Sequence, residues 1–152
     1  MEGTKQVVVL TLGDVQYGLP IDRVNEIIRY VAPVKIPNTP GYMEGIISLR
    51  GKVHAIINLR NFFGIDRKGA DENTKIIIAN GSNVGFIVDD VSMIVSPKEE
   101  EVDTAAELPG YIDKDFVLYI LKIDGKIIVV LNTASLTNSG KIHPDPIKNS
   151  IA

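Results

Sequence analysis

The chain contains no cysteine and no tryptophan, and only two of its 152 residues are histidine. Without a thiol there can be no disulfide, no thiolate metal site and no cysteine nucleophile, which is typical of a reducing compartment and leads us to expect a cytoplasmic location. Neither His54 nor His143 has a second histidine or a thiolate at the spacing of a metal site. No phosphate-binding glycine loop or nucleophile-elbow serine occurs either. We therefore expect no metal, no cofactor and no enzymatic activity.

An excess of basic charge is also missing. The chain has 16 Lys and Arg against 19 Asp and Glu, a net charge of -3. Such a balance provides no positive field for nucleic acid or for an anionic membrane surface. The first apolar run, Val7–Leu12, is much shorter than the ~20 residues that a membrane span needs. We expect a single globular domain with no nucleic-acid partner and no direct membrane insertion.

Short β-branched segments separated by turn residues make up most of the chain. The most informative is Gly45–Leu59, which reads as two apolar strands around the polar turn Arg50-Gly51-Lys52. A long cation at such a turn is not easily buried, so we expect Arg50 to project outward. Further hairpins are predicted around Gly13-Asp14, Asn80–Asn83 and Asp124-Gly125, with one helical turn after Pro20 that passes into a strand, and a short helix that ends near Gly64.

Two halves of the sequence match each other in the same order. The matching pairs are Gly18–Val24 with Gly85–Val91, Pro40–Tyr42 with Pro109–Tyr111, and Gly51-Lys52 with Gly125-Lys126. Two copies of about five short strands predict two small barrels packed side by side, with a cleft between them. The alternative is a chance match of short apolar strings.

The segment Ile21–Ile28 predicts a surface rather than a catalytic site. If it is partly strand, Val24 and Ile27 cannot face the same core as Ile21 and Ile28, which leaves an apolar stripe near Glu26 for a partner. The alternative is that all four are core residues. Glu26 and Arg50 are opposite charges that could pair at the surface. His54 is expected in or beside the core, in preference to a role as metal ligand or general base.

Taken together, these residues resemble the CheW family of chemotaxis coupling proteins over residues 5 to about 138. The resemblance is carried by Tyr17–Ile28, Ile36–Pro40, Gly45–Gly51, Asn58-Leu59 and Val84–Val91. It implies an all-β fold of two intertwined five-stranded SH3-like β-barrel subdomains with one or two short helices. We expect one domain over 1–140, with subdomain 1 at about 14–73, subdomain 2 at about 74–138 plus the strand at 6–12, and a flexible tail at 141–152.

The family implies a non-enzymatic adaptor between the regulatory domain of the histidine kinase CheA and the cytoplasmic tips of methyl-accepting chemoreceptors, monomeric when free. The alternative is a small-molecule sensor that uses the cleft between the barrels. By matching positions, the receptor-binding groove would contain Ile21, Val24, Ile27, Val91 and Ile94, and the kinase-binding or coupling residues would be Glu26, Gly45, Ile47, Leu49 and Arg50. The chain departs from the family pattern at His54-Ala55, at Asp113–Asp115 and at Asn132.

Overall fold

The computed structural model describes residues 6–104 and 113–138. These residues form eleven β-strands and two short α-helices. The strands are β1 (Val7–Leu12), β2 (Val15–Pro20), β3 (Val24–Arg29), β4 (Met43–Leu49), β5 (Lys52–Asn58), β6 (Lys75–Ala79), β7 (Val84–Val88), β8 (Asp90–Val95), β9 (Val102–Thr104), β10 (Val117–Ile123) and β11 (Lys126–Leu131); the helices are α1 (Leu59–Phe62) and α2 (Thr133–Asn138). Single 3₁₀ turns at Ile21–Arg23, Glu99–Glu101 and Lys114–Phe116 precede β3, β9 and β10.

The strands assemble into two sheets, which confirms the predicted all-β class. The five-stranded sheet has the order β3-β6-β7-β5-β4, and the six-stranded sheet has the order β8-β1-β2-β11-β10-β9. Neighbouring strands are antiparallel except for β5 with β7 and β2 with β11. The sixth strand, β9, was not predicted, because its three residues carry no pattern of their own.

The internal repeat is visible in the strand order. Reading β8-β1-β2-β11-β10 against β3-β6-β7-β5-β4 places two of the three predicted repeat pairs at the same position, and both parallel neighbours also coincide. Gly18 and Gly85 occupy equivalent places, and neither strand has room for a side chain there: a Cβ would lie 2.5 Å from Val7 Cγ1 in one and 3.0 Å from Ile56 Cδ1 in the other. The Pro109–Tyr111 copy lies outside the described residues.

The sheets do not follow the predicted subdomain boundaries of 14–73 and 74–138 plus 6–12. Strand β2 pairs with β1 and β11 in the six-stranded sheet, whereas β6 and β7 join β3 and β5 in the five-stranded sheet. The chain therefore crosses between sheets after β2 and again after β7. Hydrophobic periodicity marks hairpins along the chain, but it does not specify which distant strand each hairpin joins. The predicted tail at 141–152 lies outside the described residues.

Strands β1, β6 and β7 are buried on both faces. A central core is shared by the two sheets and includes Leu10, Leu19, Ile57, Ile77 and Phe86. Each sheet also has its own core, formed by Val7, Val9, Leu121, Ile128 and Val130 in the six-stranded sheet and by Ile47, Ile56, Ile76, Ile78 and Ile87 in the five-stranded sheet. Burial on two faces explains why strands such as β6 are apolar at successive positions instead of alternating.

Short helices close the two hairpins β4–β5 and β10–β11. The side chain of Asn58 accepts hydrogen bonds from the backbone N–H groups of Arg60 (3.0 Å) and Asn61 (3.4 Å), which caps α1. Gly64 has the predicted positive φ, 77°, just beyond this helix. The second helix, α2, agrees with the one or two short helices that the resemblance implied, although no local signal placed it; Asn132 caps it by accepting from the Ser135 N–H (3.2 Å). Within residues 6–104 and 113–138, no helix has the length and apolar character to cross a membrane.

Candidate protein-interaction surfaces

The turn between β4 and β5 presents a charged side chain, as predicted. Arg50 and Gly51 both have positive φ, 51° and 79°, the backbone of a tight hairpin turn. Arg50 forms a two-point ion pair with Glu26 on β3, in which Nη2 donates to Oε2 (3.1 Å) and Nη1 to Oε1. The side chain of Arg50 is 70% exposed and that of Glu26 is 24% exposed. The pair joins β3 to the tip of β4–β5, so the two edges of the five-stranded sheet approach each other in a barrel-like curl.

Arg50 and Glu26 each shift the pKa of the other. The hydrogen bonds from Arg50 hold the pKa of Glu26 below its ordinary value; partial burial opposes this effect, and the charges of Arg50 and His54 add to it. In return, the hydrogen bonds from Glu26 raise the pKa of Arg50. Both groups are therefore charged at neutral pH, and the exposed guanidinium of Arg50 remains accessible to a carboxylate on a partner.

Two of the predicted kinase-binding residues point inward. Ile47 is buried and Leu49 packs beside it, both in the core of the five-stranded sheet. Side chains alternate along a strand, so the outward positions of the same hairpin are Ser48 and its pair Val53. Val53 is 55% exposed, and the neighbouring Val34, which pairs with Ile46 on β4, is also exposed. The exposed apolar surface at this hairpin therefore consists of Val34 and Val53. The sequence alone did not identify these two residues, because it does not show which face of the hairpin is covered.

Gly45 has a structural reason to be glycine. Its φ is 141°, and a Cβ there would lie 2.1 Å from the carbonyl oxygen of Val34. A side chain at this position would displace the segment that carries Val34. Any effect of Gly45 on a partner is thus transmitted through the position of Val34 rather than through a contact of its own.

The residues predicted for the receptor groove fall on equivalent faces of the two sheets. Val24 and Ile27 pair with Ala79 and Ile77, and they lie on the same face of the sheet because the strand bulges at Asn25 between them. Val91 and Ile94 pair with Leu10 and Val8 of β1 in the same manner, around a second bulge. Val24 and Val91 pack on the central core, whereas Ile27 and Ile94 are exposed. Ile21 is half-buried in the 3₁₀ turn before β3.

His54 is buried, as expected, but its environment was not anticipated. It pairs with Ile47, so its side chain faces the core of the five-stranded sheet, and its Nδ1 has no hydrogen-bond partner among the residues that the structure describes.

A second ion pair, between Arg60 and Asp89, was missed. Arg60 Nε and Nη2 donate to Asp89 Oδ1 and Oδ2 at 2.8 and 2.7 Å, and the Gly13 N–H donates to Oδ2 at 2.8 Å. Burial raises the pKa of Asp89, but the hydrogen bonds from Arg60 and Gly13 outweigh it, so the net pKa is lowered. Asp89 connects α1, the β1–β2 turn and the crossover from β7 to β8.

Two small cavities lie beside the segment 65–74. They measure about 220 and 250 Å³, and both are lined by Glu44 and Arg67, which form an ion pair. The remaining lining residues come from the five-stranded sheet and its connections, including Tyr30, Asn58 and Thr74 in the first cavity and Lys35 in the second. Neither cavity lies between the two sheets, so neither supports the ligand sensor that we considered as an alternative.

Comparison with known proteins shows which family the chain resembles. A model of the CheW-like domain matches residues 6–141. The chain is 31% identical over 139 residues to a probable chemotaxis protein CheW of Rhizobium etli, with 89% of this chain and 88% of the relative covered. It is 30% identical over 137 residues to the chemotaxis protein CheW of Klebsiella aerogenes, with 89% and 82% covered. The crystal structure of the scaffolding protein TtCheW from Thermoanaerobacter tengcongensis is similar with a TM-score of 0.81 and 36% identity, covering 90% of this chain and 94% of the other.

Proposed function

Since this chain belongs to the CheW family of chemotaxis scaffold proteins, we propose that it couples the histidine kinase CheA to the cytoplasmic tips of chemoreceptors without catalysing a reaction. The proposal assigns one surface to each partner. Both surfaces are built by strands that belong to the internal repeat, and they lie at different places on the fold.

The kinase surface is the outer side of the β4–β5 hairpin. It combines the exposed guanidinium of Arg50 with the exposed side chains of Val34 and Val53. An apolar contact bordered by a charge that can form a two-point hydrogen bond is a common arrangement in protein interfaces. The partner is the regulatory domain of CheA. Ile47, Leu49 and Gly45 support this surface from within the fold, and Glu26 orients Arg50.

The receptor surface is the groove defined by Ile27 and Ile94. These residues occupy equivalent positions in the two repeats and remain exposed, while Val24 and Val91 beneath them pack on the central core and Ile21 borders them. An apolar groove with evenly placed side chains suits the apolar face of a helix. The occupant is a helical hairpin at the receptor tip.

The observation that carries the proposal is the exposure of Ile27 and Ile94 at matching positions on both sheets. Both side chains lie outside the central core, so neither is needed to fill it. The repetition of an exposed isoleucine at the equivalent position of both sheets supports a partner that covers the two residues together.

The experiment uses adjacent residues on opposite faces of β8. Ile94 is 52% exposed and faces the groove, whereas Met93 is 43% exposed, pairs with Val9 and faces the other way. We expect Ile94→Lys to abolish co-elution with a receptor cytoplasmic fragment while co-elution with the CheA regulatory domain persists. Met93→Lys should leave both intact. If the two variants behave alike, or if the unmodified chain binds neither partner, the proposal is wrong.

We further propose that the free chain is a cytoplasmic monomer that reaches receptor arrays through its partners. Size-exclusion chromatography with light scattering should give the mass of one chain, 16.6 kDa, over the concentration range used for binding. A stable dimer would contradict this part of the proposal.

A further inference from the structure

The turn between β6 and β7 contains the one Asn-Gly pair in the sequence, Asn80-Gly81. Both residues are exposed, and Gly81 has a φ of 86°. Asn-Gly is common in hairpin turns because both residues tolerate positive φ. It is also the pair in which an asparagine side chain is most reactive, because glycine has no side chain to shield its own backbone nitrogen.

This reactivity leads to deamidation in two steps. The Gly81 nitrogen attacks the side-chain carbonyl carbon of Asn80; a C–N bond forms, the bond to Nδ2 breaks, and the proton lost by the Gly81 nitrogen leaves with the amide nitrogen as ammonia. Water then opens the five-membered imide at either carbonyl and leaves aspartate or isoaspartate at position 80. Within residues 6–104 and 113–138, no hydrogen bond occupies the Gly81 N–H.

Asn80 also holds the 3₁₀ turn Ile21–Arg23 in place. Its backbone N–H donates to the Arg23 carbonyl (2.8 Å), and its Nδ2 donates to the Asp22 carbonyl (3.0 Å). A carbonyl oxygen only accepts hydrogen bonds, so the side-chain atom that faces Asp22 has to be the amide nitrogen. The contact therefore depends on the amide that deamidation removes.

Deamidation would reverse the chemistry of this contact. A carboxylate has only acceptor oxygens, so at position 80 it would lose the hydrogen bond to Asp22 and be repelled by its carbonyl oxygen. Isoaspartate adds a carbon to the backbone as well, which displaces the N–H that binds Arg23. Val24 follows the turn directly, pairs with Ala79 and packs on the central core, so a change in the turn is passed on to β3.

We propose that Asn80 is a site of spontaneous deamidation, and that its conversion loosens the 3₁₀ turn Ile21–Arg23 beside the receptor groove. The reaction is the hydrolysis of a side-chain amide, with water as the co-reactant. Both the conversion and the loosening are properties of the chain itself. Only the effect on receptor binding rests on the proposed function.

Peptide mapping of the aged chain tests the reaction, and the same turn supplies the control. Asn83 is also exposed, but it precedes Val84, whose β-branched side chain shields the attacking nitrogen. Trypsin cleaves after Lys75 and Lys98, so one peptide contains both asparagines. During incubation of the full chain in mildly alkaline buffer, Asn80 should be converted about tenfold faster than Asn83 or more. Equal rates, or no conversion at Asn80, would overturn the proposal.

Amide hydrogen exchange, measured by NMR, tests the loosening. Asn80→Asp should speed exchange of the Val24 N–H, which donates to the Ile21 carbonyl at the end of the turn, by about tenfold or more. Asn83→Asp adds the same charge to the same turn and should leave this exchange unchanged. The deamidated fraction of the aged chain, separated by anion exchange, gives a second reading if Asn80→Asp is poorly folded. Exchange at Val24 that is unchanged in the aged fraction, or equally faster in both substitutions, would contradict the loosening.

The consequence for binding is measured as affinity for a receptor cytoplasmic fragment. The deamidated fraction should bind the fragment severalfold more weakly than the fresh chain, whereas Asn83→Asp should bind normally. Equal affinities of the fresh and deamidated chains would contradict the link between Asn80 and the receptor groove. Failure of the fresh chain to bind the fragment would contradict the proposed function, while mapping and exchange would still decide whether Asn80 deamidates and loosens the turn.

Discussion

Two of the arginine–carboxylate pairs in the described part of the chain have the same two-point geometry but contrasting environments. In the first, Arg50 and Glu26 meet at the tip of a hairpin, with the guanidinium largely in solvent. In the second, Arg60 and Asp89 are both mostly buried, and Asp89 also accepts the Gly13 N–H. The same chemical pair therefore serves two purposes. An ion pair that is exposed to water contributes little to stability and can exchange partners. Breaking a buried, fully hydrogen-bonded pair is costly, because it leaves a buried charge without a partner.

The position of each pair in the fold agrees with this division. Arg60 and Asp89 connect elements that come from both sheets, and Arg60 also donates to the carbonyl of Asp66 (2.8 Å). Arg50 and Glu26 connect two edges of one sheet. Three measurements can break or sharpen the contrast, and they are ordered from the largest expected loss of stability to the smallest.

Replacing Asp89 by Asn should cause the largest loss. The amide keeps the shape of the side chain but removes its charge and leaves the Arg60 guanidinium without its counter-ion. We expect the free energy of unfolding in urea to fall by about 1 to 3 kcal/mol. Asp90→Asn is the matched control, because the adjacent Asp90 is only half-buried and lies 3.8 Å from Lys75 Nζ. Similar losses in both variants would contradict the special role of Asp89.

The contribution of Asp89 should also depend on pH. Its folded-state pKa is lowered from 3.8, so the folded chain holds fewer protons than the unfolded chain in that range. The stabilisation is therefore complete above the unfolded value and is lost as the pH falls through the lower, folded value. We expect the stability difference between the unmodified chain and Asp89→Asn to be constant near neutral pH and to shrink below about pH 4. A difference that grows on acidification would contradict this account.

Val53, the outward valine of the β4–β5 hairpin, should matter little for stability and much for binding. Val53 and Ile127 are repeat-equivalent residues at the tips of β4–β5 and β10–β11, and they are 55% and 58% exposed. Each substitution to Asp should leave the melting temperature nearly unchanged. Val53→Asp should weaken binding to the CheA regulatory domain about tenfold or more, a difference of ~1.4 kcal/mol, and Ile127→Asp should not. Equal effects of the two substitutions on binding would contradict the assignment of the kinase surface to the β4–β5 hairpin.

Much of the fold follows from local sequence. Gly-containing turns flanked by β-branched residues predicted the hairpins, including the left-handed turns at Arg50-Gly51 and Asp124-Gly125. The helical turn at Ile21–Arg23 and the glycine that ends α1 were also predicted. These features depend on residues close together in the chain, where turn chemistry and side-chain alternation decide the structure.

The features that were missed depend on contacts between distant segments. The assignment of β2 to the six-stranded sheet and the Arg60–Asp89 pair both need the crossovers between sheets. The inward direction of Ile47 and Leu49 depends on which face of β4 is covered, a property of the assembled sheet. For the interaction surfaces, the resemblance to the CheW family supplied candidate residues, and the structure separates exposed positions from supporting ones.

The most direct test of the account is a single pair of variants measured for both stability and binding. Arg50→Glu should melt at the same temperature as the unmodified chain and lose binding to the CheA regulatory domain in a pull-down assay. Asp89→Asn should melt lower and, at a temperature where it remains folded, retain that binding. The account would be contradicted if Arg50→Glu bound the kinase domain normally, or if Asp89→Asn lost binding while still folded.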